Sequence, residues 1–87
     1  MFVKKTLKTQ EDLEFFTTGT KDQRGYALDI KRAFEAEFES LSQKVSGAFA
    51  DEFEKAVAEA KVQADAIWWI ERKQISAIEM IDEILEN

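Results

Sequence analysis

The sequence has no cysteine, no histidine and no proline. Without cysteine there is no disulfide, no thiolate metal ligand and no cysteine nucleophile. Without histidine the commonest general base and the commonest metal ligand are missing. Ser40, Ser42, Ser46 and Ser76 therefore have no imidazole to activate them. Glycine is scarce as well: Gly19, Gly25 and Gly47 are the only three, and they form no phosphate-cradling loop. The stretch Asp22 to Gly25 is too short for a calcium loop and lacks its ligand pattern. No run of about 18 apolar residues exists, so no membrane span is expected. Lys4 and Lys5 resemble the start of a signal peptide. However, Thr6, Lys8, Gln10, Glu11 and Asp12 follow where its apolar stretch should be, so the expected setting is cytoplasmic.

What is present describes a folded helical chain. Apolar residues make up 45% of the 87 and aromatic residues 11%, which argues against disorder. This length fits one domain, 1–87, burying roughly 60% of its unfolded surface. The net charge is −6 and unevenly spread. Residues 1–8 carry three lysines and no acid, whereas residues 47–87 carry ten acids against four bases. A nucleic acid is not an expected partner, because phosphate binding needs a basic face. An anionic membrane surface is not expected on the same ground. A protein partner with a basic surface is compatible with this balance.

Taken in order, Phe2, Val3 and Leu7 around Lys4, Lys5 and Thr6 read as a short arm or edge strand. Thr9 followed by Glu11 and Asp12 reads as a helix start, with Leu13, Phe15 and Phe16 as its apolar face. Thr17-Thr18-Gly19 stops it. After a polar loop, a helix is expected from Asp22 or Gly25 to about Val45. Its stripe is Ala27, Ile30, Phe34, Phe38, Leu41 and Val45. Ser46-Gly47 then permits two readings. In the favoured one the chain turns. In the other the helix continues, because Leu41, Val45, Phe49, Phe53 and Val57 keep their phase, and the glycine costs about 1 kcal/mol. Such a helix from 27 to 85 would be roughly 88 Å long and would need a partner chain to cover it.

From Asp51 to Leu85 there is neither glycine nor proline, and one long helix is expected. The fold class is therefore all-α: a small helical hairpin or three-helix assembly with a long C-terminal helix as spine and a short N-terminal arm. The arm and the first helix are expected to cover the spine between Trp69 and Leu85.

Placed on a helical wheel at about 100° per residue, residues 67–86 show an apolar arc roughly 180° wide. Trp69, Ile70, Ala77, Ile78, Met80, Ile81 and Ile84 lie in it and are candidates for core or self-association. Trp68 falls outside the arc, near Arg72, Ile75, Glu79 and Glu86. Trp and Arg one turn apart are residue types enriched at binding hot spots. Glu79, Asp82, Glu83 and Glu86 crowd the last turns, where the helix dipole disfavours acids. The candidate partner-binding residues are thus Trp68, Arg72, Ile75, Glu79, Asp82, Glu83 and Glu86. Carboxylates one turn apart, Glu35 with Glu39 and Glu79 with Glu83, lack the histidine of di-metal bundle sites and read as surface charge. No metal, cofactor or catalytic residue is expected.

The function these features favour is non-enzymatic binding to another protein, as an inhibitor or adaptor. The overall profile (very short, acidic, free of Cys, His and Pro) is similar to that of many small phage-encoded inhibitors, including anti-CRISPR and host-takeover proteins. That is a likeness of profile, carried by no motif. In its weaker variant the acidic surface mimics DNA. The rival expectation is a self-assembling coiled-coil or virion component, a homo-oligomer favoured by the in-phase stripe and the wide arc. A small-ligand site at an oligomer interface is a third option to which no cluster points.

Overall fold

The computed structural model describes residues 9–86. The expected arm, Phe2 to Leu7, lies outside them. The described residues are all-α: α1 (Gln10–Glu14), α2 (Lys21–Ser42), α3 (Ala48–Lys61), α4 (Ala66–Glu71) and α5 (Ala77–Glu86).

Local chemistry fixes the helix starts. The Thr9 hydroxyl accepts from the Asp12 amide at 3.1 Å, and the Asp12 carboxylate accepts from the Thr9 amide at 3.0 Å. This reciprocal capping box satisfies two amides that the first turn leaves unpaired. Thr20 and Gln23 repeat the arrangement for α2, at 3.1 and 2.8 Å. That box starts α2 ahead of the expected Asp22 or Gly25, and Gly25 lies inside the helix. The predicted stripe holds: Ala27, Phe34 and Phe38 are buried, and Ile30, Leu41 and Val45 pack half-buried against the same core.

The chain turns at residues 43–47. Gly47 has φ 73° and ψ −154°, a conformation essentially confined to glycine. The continuous helix does not form: the longest dimension of the described residues is 39 Å. Beyond the turn Phe53, Ala56 and Ala60 go into the core, while Phe49 leaves the stripe and stays 45% exposed.

The expected long C-terminal spine is divided into three helices, and both breaks have a physical cause. At the first, Asp65 caps α4 by accepting from the Ile67 amide at 3.0 Å and also takes the Thr18 hydroxyl at 2.6 Å. The Thr18 hydroxyl oxygen accepts from the Ala66 amide at 3.2 Å, and the Thr17 amide donates to the Ala64 carbonyl at 2.8 Å. The α1–α2 loop therefore supplies partners to backbone groups that a helix would have paired internally. Gly19 allows this approach. It has φ 95°, and a Cβ there would sit 3.0 Å from the Ala66 Cβ. At the second break, Ser76 and Glu79 form a capping box at 2.8 and 3.1 Å that starts α5 afresh.

The spine is α2, which packs against each of the other four helices. α1 lies on α2, not along the Trp69–Leu85 stretch, and α5 is covered mainly by α3. Trp69 is fully buried at the centre, its ring 6.0 Å from Phe34. Its indole N–H donates to the Gln63 carbonyl at 3.0 Å, so burial leaves no polar orphan. Ala27, Ala56, Ala60, Ala66 and Ala77 are at most 1% exposed. Small side chains at these contacts let the backbones approach closely. No helix of the described residues is long and apolar enough to cross a membrane.

Candidate functional site

The Trp68–Arg72 pair exists, but it is engaged within the protein. The Arg72 guanidinium lies over the Trp68 ring, 4.1 Å from its centroid, and donates to the Trp68 carbonyl at 2.9 Å. Its remaining face meets Glu83: Nε lies 3.2 Å from both carboxylate oxygens, and Nη2 lies 2.5 Å from one. Trp68 itself stands edge-on to Trp69, with centroids 4.8 Å apart. Three of the expected partner-binding residues, Trp68, Arg72 and Glu83, thus form a clamp joining α4 to α5. Wheel placement could not show this, because α4 and α5 are separate helices and the Arg72–Glu83 contact spans the break.

The other expected binding residues scatter. Ile75 is half-buried against the core beside the second break. Glu79 serves the Ser76 cap. Asp82 and Glu86 are exposed on α5. The residues expected to form core or self-association also divide. Trp69, Ala77, Met80 and Ile81 are buried, and Ile70 and Ile84 pack partly buried on them. Ile78 does neither and remains 57% exposed.

Ile78 marks the surface that sequence reading missed. Together with Leu41, Val45, Phe49, Phe53, Ile81 and Asp82 it lines a hollow of about 120 Å³ where the end of α2, the α2–α3 turn and α5 meet. A second hollow, about 210 Å³, lies next to it and is lined by Glu37, Ser40, Leu41, Ser76, Ala77 and Ile78. Leu41 and Ile78 belong to both and form the ridge between them. The two hollows make one groove. Its walls are apolar in the middle, and among the described residues its only charged lining residues are Glu37 and Asp82. Neither carboxylate has a hydrogen bond or ion pair among the described residues.

A signal for this groove was present. Phe49 lies just past Gly47, where a turn takes it out of the α2 stripe. Ile78 is the apolar residue on α5 that follows Ala77, one step off the buried positions.

A larger hollow, about 710 Å³ and open to solvent, separates α2 from α3. Its floor is Phe53 and Val57, and Glu35, Glu39, Glu54 and Lys61 are at its walls. Glu35 is held by Lys31 at 2.7 Å. The walls are mixed and solvated, which suits this cleft less well for burying a ligand than the apolar groove.

Two aspartates titrate below their ordinary range. Asp12 is lowered first by the Thr9 amide, then by the Thr9 hydroxyl and Arg32. Asp65 is lowered first by the Thr18 hydroxyl and further by the amides of Ile67 and Trp68. Both are structural caps remote from the groove. Among the described residues the groove offers apolar surface and two carboxylates without a hydrogen bond or ion pair. The chain matches no known protein family, no curated protein and no solved structure.

Proposed function

We propose that this protein works without catalysis, by binding another protein as an inhibitor or adaptor. The observation that supports this reading is the groove. Phe49 and Ile78 are 45% and 57% exposed beside a hollow whose other walls are Leu41, Val45, Phe53, Ile81 and Asp82. Fully burying one such side chain contributes about 1.5–3 kcal/mol, so an uncovered cluster of them is a source of binding free energy. Inhibition of the kind small phage-encoded proteins exert, in the cytoplasm of a host cell, is the form of this function we favour.

The same exposed side chains bear on self-assembly, the rival reading. The in-phase stripe that favoured a rod is broken at Gly47, and the wide apolar arc is divided between α4 and α5. What remains in favour of self-assembly is Ile78 itself.

The test is a paired capture from the source cell, using the wild-type chain and Ile78→Asp as baits of matched thermal stability. Under the proposal a protein is retained by the wild type and lost by the variant. Retention that is indifferent to Ile78, or a concentration-dependent dimer that the variant abolishes, refutes binding of a different protein through this groove.

A further inference from the structure

We infer that the groove takes an amphipathic helix of a partner protein, with an apolar anchor flanked on both sides by a basic residue. This rests on the proposed protein-binding role and specifies its partner. The two walls advance together along the groove. Glu37 and Ser40 share one hollow with Ser76 and Ala77, while Val45 shares the next with Ile81 and Asp82. Glu37 therefore stands at one end, Asp82 at the other, and the Leu41–Ile78 ridge between them. Glu37 to Val45 is eight residues of chain, about 12 Å at helical rise, or roughly two turns. A docked helix would place an apolar side chain in the 120 Å³ hollow, a volume suited to one side chain and too small for a whole ligand. A lysine or arginine about one turn to either side would reach Glu37 and Asp82.

Charge decides the occupant. Among the described residues no base lines either hollow and both rim carboxylates are unpaired, and the chain carries −6 overall. A second copy presenting the same face would bring like charges together, which is destabilising. An extended strand would need a sheet edge to pair with, and the described residues contain no strand. A basic helix meets both the apolar floor and the acidic ends, in the helix-in-groove mode.

The probe is an alanine-based helical peptide of 16 residues with leucine at positions 8 and 9 and lysine at positions 4, 5, 12 and 13. Its control carries glutamate in place of each lysine. Binding is read by methyl NMR shifts of Leu41, Val45, Ile78 and Ile81 and by fluorescence anisotropy at two salt concentrations. The expected result is shifts at these methyls with the lysine peptide and none with the glutamate peptide. Ile78→Asp should weaken binding about tenfold or more. Glu37→Lys and Asp82→Lys should each weaken it by up to roughly fivefold and flatten its salt dependence. Absence of lysine-peptide binding, equal binding of both peptides, or shifts confined to other methyls overturns the inference. If the cell-derived partner still depends on Ile78 while the lysine peptide fails, the helix is the wrong occupant and protein binding stands. If both fail, the protein-binding role falls as well.

Discussion

Replacing Gly47 with alanine separates two architectures by the sign of its effect. In a continuous helix through residue 47, alanine would stabilise the chain by about 0.8–1 kcal/mol over glycine. The structure places Gly47 at φ 73° and ψ −154°. A Cβ added there meets nothing within 4 Å, so collision contributes no cost. What remains is backbone strain, about 1–3 kcal/mol for a side-chain-bearing residue in this region. Alanine also reduces the freedom of the unfolded chain, which offsets about 0.4–1 kcal/mol. At the middle of these ranges the net expectation is a destabilisation of about 1.3 kcal/mol. For a chain of this size that lowers the melting temperature by roughly 5–10 °C. Thermal unfolding followed by far-ultraviolet circular dichroism, with urea titration to check that the m-value is unchanged, measures it. A higher melting temperature for Gly47→Ala would show that the helix runs through residue 47 and that the turn, the α3–α5 packing and the groove are wrong together.

Further expectations concern the clamp and the caps. Arg72→Ala loses a cation–π contact of about 0.5–1 kcal/mol. It also loses an ion pair with the 40% exposed Glu83, worth at most about 1 kcal/mol after solvent screening. Stability should fall by about 1–2 kcal/mol while groove binding by the folded protein is unchanged; the opposite pattern would restore Trp68 and Arg72 as a binding hot spot. Ser76→Ala should cost about 0.5–2 kcal/mol in chemical denaturation, because it uncaps α5. Acid should destabilise through Asp12 and Asp65. Both have folded pKa values held below 3.8, so their contribution is present above the unfolded pKa and is lost as pH falls below about 4. Thr18→Val removes the main cause at Asp65, so the stability gap between it and the wild type should narrow as pH falls from 5 to 2; a constant gap refutes that assignment.

The readable parts of this fold depended on neighbours three or four residues apart. Thr9 with Asp12 and the Ala27–Val45 stripe are of that kind; the stop expected at Thr17–Gly19 falls too late, because α1 ends at Glu14 and leaves Phe15 and Phe16 beyond it. The second break also has a local signal, the capping-box spacing of Ser76 and Glu79, but one helix is expected there because Asp51 to Leu85 has neither glycine nor proline. The first break was not readable, because its partners are Thr17 and Thr18, 47 and 48 residues away in sequence. The wheel went astray at the second break. It treated residues 67–86 as one rigid helix, so it put Trp68, Arg72 and Glu83 on an outer face. In the fold they close on one another across the α4–α5 joint.

The sequence by itself determined the all-α class, the amphipathic α2 and the apolar face that carries Trp69, because helical periodicity and capping are local properties; at Gly47 it left a turn and a continuous helix both open. It also determined that no cysteine or histidine chemistry is available. The tertiary structure decided that α2 is the spine, that the C-terminal third is three helices, and that Trp68 is held by Arg72. It also decided where the chain leaves apolar side chains uncovered. A groove is the space left between helices once each has satisfied its own core contacts. Leu41, Phe49 and Ile78 become one surface only after α2, α3 and α5 have packed.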